Sequence, residues 1–258
     1  MKQTVSILGC GWMGMPLALE LSHKGFEVKG STRSSDKFEQ MRLGGISPYA
    51  IQLSDRYDMI ADFLSSEVLI IAVPSKNVDD FRYLIDRIEK SQVQKVLFVS
   101  STSVYVSANQ IATEECETPA SPLSEIESML RESARFKTTV LRFGGLFGYD
   151  RQPGRFHRDG KVIDNPEGYV NLIHRDDCIR IIEQIIEQNI WGETLNACAD
   201  THPTRRDFYT KEALRLGMNT PPFDELSLTP YKIISSEKLK RLLNFSFKYA
   251  DLMDYSGE

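Results

Sequence analysis

Three glycines, Gly9, Gly11 and Gly14, stand in the hexapeptide Gly9-Cys10-Gly11-Trp12-Met13-Gly14 with the spacing G-x-G-x-x-G. The β-rich run Thr4 to Leu8 precedes them. A helical pattern from Gly14 to Lys24 comes next, with Met13, Leu17 and Leu21 on one face. In that context each glycine has a task. Gly9 permits a tight turn, Gly11 lets backbone approach a diphosphate, and Gly14 allows the helix to pack close to the strand. The helix N-terminus then offers free N–H groups and a partial positive charge to phosphate oxygens. The backbone amides of Cys10, Trp12 and Met13 belong to the same loop.

The next strand refines the ligand. Sites that prefer NAD place an acid about twenty residues on, where it accepts the ribose hydroxyls. Here the strand ends Lys29-Gly30-Ser31-Thr32-Arg33-Ser34, with no acid before Asp36. Arg33 and the hydroxyls of Ser31 and Thr32 suit a 2′-phosphate instead. NADP is the expected cofactor, with NAD as the alternative.

The elements that must position this loop alternate between strand and helix. Strands are expected at Phe26–Lys29, Tyr49–Leu53, Val68–Val73, Lys95–Val99 and Thr139–Arg142. Helices are expected around Asp36–Leu43, Val78–Lys90 and Ser124–Phe136. Such alternation implies a parallel sheet with right-handed crossovers. The second half is less regular. Gly144 to Gly168 reads as a long loop and Asp176–Asn189 as a helix capped near Asp176. Thr194–Ala197 is a strand, and Thr204 caps a helix running to Leu216. Tyr231–Ile234 is a strand before a last helix from Ser235.

Composition removes several classes. The 258 residues carry 31 Lys+Arg against 36 Asp+Glu, a formal net charge of -5, and 41% are hydrophobic. That is globular composition. It gives no electrostatic reason to expect nucleic acid or an anionic membrane. The longest purely apolar run is too short to span a bilayer, and no targeting segment is evident at the start. Cys10, Cys116, Cys178 and Cys198 form no CxxC pair, and the four histidines lack metal-ligand spacing. The expectation is a cytoplasmic protein without a metal, monomeric or homodimeric, with a small-molecule substrate.

Four further segments together resemble one family. Lys95 to Tyr105 (KVLFVSSTSVY), 139–148 (TVLRFGGLFG), 171–182 (NLIHRDDCIRII) and 192–209 (GETLNACADTHPTRRDFY) occur in order across nearly the whole chain. They are similar to the fifth strand and its loop, the sixth strand, the "hVdD" segment and the "YNv" segment of extended short-chain dehydrogenases/reductases. The chain is thereby identified with an atypical group of their NAD(P)-binding nucleoside-diphosphate-sugar epimerase/dehydratase branch. The resemblance implies an α/β, Rossmann-like doubly wound parallel sheet with a small C-terminal α/β extension on the substrate side. It further implies a single unit over 1–258. The dinucleotide-binding core would take about 1–143 plus 170–200, and the substrate side about 144–169 plus 201–258. It adds Ala72, Val73, Pro74, Ser100, Phe143 and Gly144 to the cofactor contacts.

In that family a Ser or Thr, a Tyr and a Lys do the chemistry: the Tyr moves a proton while hydride moves at the nicotinamide. The resemblance puts the Ser on Ser101, with Ser100 and Thr102 beside it, and sets Tyr105 apart from the catalytic base. The Tyr-x-x-x-Lys pair is absent. Alignment on Ser121-Pro122 places Leu123 and Glu127 there, a one-residue shift places Ser124 and Ser128, and no tyrosine occurs between Tyr105 and Tyr149. A carboxylate in place of the ammonium inverts the local electrostatics.

On the substrate side the 144–168 stretch carries Tyr149, Arg151, Arg155, His157 and Arg158. Thr102, Arg151, Arg155 and His174 are the expected substrate contacts, the arginines suiting a phosphate or carboxylate. Arg142 either neutralises a buried acid or lines the cleft. Two functions remain open: an NADP-dependent oxidoreductase or epimerase-like enzyme, and a non-catalytic NADP(H)-binding regulatory or redox-sensing module. A third reading comes from residues 9–33, which look like 6-phosphogluconate and β-hydroxyacid dehydrogenases. Those place a long helical domain next, against which the later strand signals argue.

Overall fold

A computed structural model describes residues 3–54, 60–157, 160–227 and 230–257. In chain order the elements are β1 (Thr4–Leu8), α1 (Gly14–His23), β2 (Glu27–Thr32), α2 (Phe38–Leu43), β3 (Ile46–Ala50), α3 (Ile60–Phe63) and β4 (Val68–Ile71). Next come α4 (Val78–Glu89), β5 (Lys95–Ser101), β6 (Gln110–Ala112), α5 (Pro122–Glu132), β7 (Lys137–Phe143) and β8 (Gly145–Phe147). The chain closes with β9 (Leu172–His174), α6 (Arg175–Glu187), β10 (Thr194–Ala197), α7 (Arg205–Arg215), β11 (Lys232–Ile234) and α8 (Glu237–Leu243).

Seven strands form one sheet in the order β10-β7-β5-β4-β1-β2-β3. The pairs β1–β2, β1–β4, β2–β3 and β4–β5 are parallel. The parallel pairing is the one expected from the alternation, and the strand order is the doubly wound Rossmann architecture that the resemblance implies. Strand order reverses between β1 and β4, and in open parallel sheets ligands bind outside the carboxyl ends at that reversal. The run Val68–Ile71 is buried on both faces, as a central parallel strand requires.

The residues group into two compact units. The first comprises 1–100, 120–141 and 183–194; the second comprises 101–119, 142–182 and 195–258. Strands β5, β7 and β10 contribute residues to both. In the first unit, Val5, Ile7, Leu8, Leu17, Leu21 and the whole of β4 are buried. The second has its own core of Phe147, Ile163, Val170, Leu172, Ala199, Phe208, Tyr209, Leu252 and Tyr255. It also holds two small parallel pairs, β6–β11 and β8–β9. β8 lies inside the stretch expected to be a loop. Three residues between glycines carry too little periodicity to reveal a strand.

Local rules account for most boundaries. Asn77 caps α4, accepting from the N–H groups of Asp79 (3.0 Å) and Asp80 (3.1 Å). α5 starts two residues before its expected position. Ser121 and Ser124 form a reciprocal capping box, and Pro122 occupies the first helical position. Thr204 caps α7 as expected. β3 lies three residues earlier than the expected Tyr49–Leu53 strand. Asp176 is not the cap of α6. The helix starts at Arg175, and the His174 ring Nδ1 accepts the Asp176 N–H at 3.2 Å. Among the described residues no helix is long and apolar enough to cross a membrane.

Burial holds two histidines of the second unit, His202 and His157, below their ordinary range, with Arg205 adding to the effect at His157. A depressed folded-state value favours the neutral ring. That stability is fully present above the unfolded value of about 6.5 and is lost as pH falls from there through the depressed folded value. The melting temperature should therefore fall between pH 7.5 and 5.5. In His202→Asn the fall should be smaller, because one buried ring no longer resists protonation. Thermal unfolding of both proteins at the two pH values checks this; identical slopes would refute it.

Candidate functional site

The glycine loop has the shape its sequence implies. Gly9 has φ +106°, and a Cβ there would lie 2.8 Å from the Ala72 carbonyl oxygen and 2.9 Å from Val73 Cγ1. Only glycine fits that conformation and that approach to the end of β4. At Gly14 a Cβ would stand 2.1 Å from the Gly9 carbonyl oxygen, so the helix start and the turn touch backbone to backbone. Gly11 differs: it is exposed, and nothing lies within 4 Å of where its Cβ would be.

The open space at Gly11 faces an uncapped helix. The N-cap residue of α1, Met13, makes no side-chain cap bond, and the first turn contains no acid. The positive end of a ten-residue helix is thus left for an incoming anion. These residues fit a dinucleotide diphosphate. Ser31 serves the loop from behind: it is buried, its hydroxyl accepts the Gly9 N–H at 2.9 Å, and its carbonyl accepts the Cys10 N–H at 2.7 Å. Thr32 is partly exposed and Arg33 exposed, with no acid before the exposed Asp36. Cys10 is buried and its thiol is pushed up to about 12 by burial, which makes it a packing residue. The cations nearest β2 in sequence split in role: Lys29 is bonded to the Asp62 carbonyl and the Ser65 hydroxyl, both at 2.6 Å.

Of the residues that the two registers set against the absent Tyr-Lys pair, helix α5 buries Leu123, Ser124 and Glu127. The Ser100 hydroxyl donates to the Glu127 carboxylate at 2.5 Å. In the register that aligns Glu127 with the absent lysine, a buried carboxylate paired with a strand-end serine would stand in place of the ammonium. Ser101, the next residue, accepts the Ser103 N–H at 3.1 Å, which leaves its proton for another acceptor.

In the second unit Arg142 is 3% exposed. It is not among the residues that line the cavity described below. It donates to the Tyr105 hydroxyl at 2.6 Å, with its guanidinium 4.9 Å from the Tyr105 ring centre. Tyr105 donates in turn to Asn196 Oδ1 at 2.9 Å, and Glu114 accepts the Asn196 N–H. Burial raises the Tyr105 phenol against the pull of Arg142, so it stays protonated. Phe143 is buried, and Gly144 is tight: a Cβ would meet Cys198 Sγ at 2.5 Å and the Asn171 carbonyl oxygen at 2.7 Å.

The expected substrate contacts separate. His174 is fully buried among Phe147, Tyr249 and Tyr255, as cap of α6. Arg151 is exposed in a turn paired with Gly148, and Arg155 is exposed in a single 3-10 turn. Neither arginine lines a cavity with Thr102; Arg158 lies outside the described residues. Ser101 and Thr102 instead line a cavity of about 420 Å³ with Tyr169, Arg205, Tyr231 and Lys232, all within the second unit. Sequence reasoning missed those four. One signal was available: two arginines follow the cap Thr204, where basic side chains oppose the helix dipole. A larger hollow of about 820 Å³ in the first unit borders Thr4, Glu67 and Gln94. Those residues stand at the amino ends of β1, β4 and β5, away from the ligand-binding edge of such sheets.

Residues 4–122 match the NAD binding domain of 6-phosphogluconate dehydrogenase. Protein YeeZ of Escherichia coli strain K12 is 34% identical over 270 aligned positions, covering 96% of each chain. A putative NAD-dependent epimerase/dehydratase from Methylobacillus flagellatus superposes with a TM-score of 0.81 at 24% identity, over 97% of this chain and 95% of that one. The UDP-glucuronic acid 4-epimerase of Bacillus cereus, solved with UDP-glucuronic acid and NAD, gives 0.80 at 16% over 98% and 96%. The likeness of the N-terminal segment to 6-phosphogluconate dehydrogenases thus holds for the nucleotide domain. In place of the long helical domain of those enzymes, this chain continues into β7 to β11 and their helices.

Proposed function

The chain belongs to the family of Escherichia coli YeeZ and folds as an atypical extended short-chain dehydrogenase/reductase with a nicotinamide-dinucleotide-binding domain, and on that premise we propose that it binds NADP and acts as an oxidoreductase or epimerase-like enzyme on a small molecule. The observation that carries the proposal is the open, uncapped helix start at Gly11. When bound, the nicotinamide supplies hydride transfer. The chain's own residues hold the diphosphate on the amides of 10–14 and meet a 2′-phosphate with Arg33 and Thr32. Ala72, Val73, Pro74, Ser100, Phe143 and Gly144 complete the cofactor contacts of this reading. Ser101 directs its free proton to a substrate oxygen, with Thr102 beside it. A reducing, cytoplasmic setting belongs to the same reading.

Arg33→Ala tests the cofactor choice. A charge-assisted contact to phosphate is worth about 1.5–3 kcal/mol, so NADP binding should weaken about tenfold or more. NAD binding should stay within twofold. Calorimetric titration with both nucleotides reads this directly, and unchanged NADP affinity overturns the assignment.

The buried Leu123 and Glu127 favour a second reading: a non-catalytic NADP(H)-binding module that senses redox state or regulates a partner. It expects tight NADP(H) binding with no hydride exchange. Cofactor-dependent reduction of any defined carbonyl compound removes it.

A further inference from the structure

The cavity beside Ser101 has an electrostatic character of its own. Two cations, Arg205 and Lys232, reach its wall, and among the described residues that line it there is no carboxylate. In a chain with more acids than bases that combination is unusual, and a hollow lined by one sign of charge concentrates the opposite ion. The two consecutive arginines of α7 behave differently. Arg206 is neutralised by Glu167 at 2.8 Å and Glu225 at 2.7 Å. The Nε of Arg205 is shielded from solvent and has no hydrogen-bond acceptor. A buried donor without an acceptor costs about 1–3 kcal/mol, and here it belongs to a guanidinium that no carboxylate neutralises among the described residues.

The surroundings hold Arg205 ready. Its backbone N–H donates to the Gly168 carbonyl at 2.7 Å, which anchors the start of α7. One turn on, the Tyr209 ring centre lies 6.0 Å from the guanidinium. Lys232 donates to the Tyr105 carbonyl at 2.6 Å and keeps further N–H groups; burial lowers its amine below the ordinary value. Tyr169 and Tyr231 meet edge to face at 4.8 Å. A volume of about 420 Å³ is at the small end of ligand cavities.

We propose that this cavity binds a small organic anion, no larger than a sugar phosphate, through its carboxylate or phosphate. Arg205 holds the oxyanion through the terminal N–H groups of its guanidinium. Lys232 supplies the second charge, and Tyr169 and Tyr231 flank the carbon frame. The assignment deepens the function proposed above by naming the charge class of the substrate, yet it stands on a site that can be titrated without cofactor.

The test uses the full chain and three probes that share one ring: glucose 6-phosphate, glucuronate and glucose. Calorimetry should show at least one charged sugar binding at least tenfold more tightly than glucose. Preference for glucose 6-phosphate identifies phosphate as the recognised group, preference for glucuronate identifies carboxylate, and either supports the site. Arg205→Gln should weaken the anion at least tenfold. Arg206→Gln, which removes a paired arginine outside the cavity wall, should change it less than twofold. Melting curves of both variants establish that they fold. Equal affinity for glucose and the charged sugars, no binding of either anion, or wild-type binding by Arg205→Gln overturns the proposal. NADP is titrated in the same samples: its failure to bind, with the anion still bound, removes the cofactor reading alone.

Discussion

Gly11→Ala should reduce NADP binding about a hundredfold, close to 3 kcal/mol, while leaving the melting temperature within about 2 °C of wild type. The added methyl meets no protein atom within 4 Å, and Gly11 has no left-handed backbone to strain. Substitution at such a position shifts stability by about 0.5 kcal/mol or less. The methyl occupies the space through which a diphosphate approaches the first amides of α1. Gly14→Ala is the contrasting control. Its methyl would stand 2.1 Å from the Gly9 carbonyl oxygen, a backbone atom that cannot turn aside. That overlap should cost about 3 kcal/mol, or about 6–12 °C in a chain of this size, and binding should fall with the fold. Differential scanning calorimetry and NADP titration of the two variants separate the outcomes. Wild-type NADP affinity in Gly11→Ala would mean that the diphosphate binds elsewhere.

Tyr105→Phe should destabilise the protein by about 2–3 kcal/mol, since it removes one oxygen from a buried network that includes a charged group. The ring remains, so packing and the stacking of Arg142 at 4.9 Å are kept. What disappears is the acceptor of the Arg142 N–H at 2.6 Å and the donor to Asn196 at 2.9 Å. A melting temperature lower by about 4–12 °C is the expected result, with NADP affinity unchanged because the tyrosine acts on structure. Arg142→Met in the same background completes a double-mutant cycle, in which the two losses should be clearly less than additive. A melting temperature within about 1 °C of wild type in Tyr105→Phe would show that the network holds nothing together.

The first unit was largely legible in the chain. The glycine spacing, the strand before it and the helix after it are contiguous, and the backbone there obeys local rules: Gly9 takes a positive φ, and Gly14 abuts it. The cap at Thr204 was readable for the same reason, whereas the cap at Ser121 was not, and α5 begins two residues before its expected start. His174 was harder. Its place before a helix suggested a strand end, but a ring nitrogen acting as the cap of α6 depends on a rotamer that neighbouring aromatics set.

What only the tertiary structure decided lies in pairings across long separations. Sequence spacing could align Glu127 with a missing lysine; it could not pair that carboxylate with Ser100, 27 residues away. Nor could it choose between roles for Arg142, whose partner Tyr105 is 37 residues back. Among five basic or aromatic residues of one polar loop, it drew the substrate contacts from Arg151 and Arg155, both exposed in the structure. The cavity instead gathers Ser101, Tyr169, Arg205 and Lys232 from four separate segments. Backbone conformation and capping are decided within a few residues, so they are written locally. Which charges end up desolvated and facing one another is decided by how distant segments pack, and the one-dimensional order of a chain does not contain that.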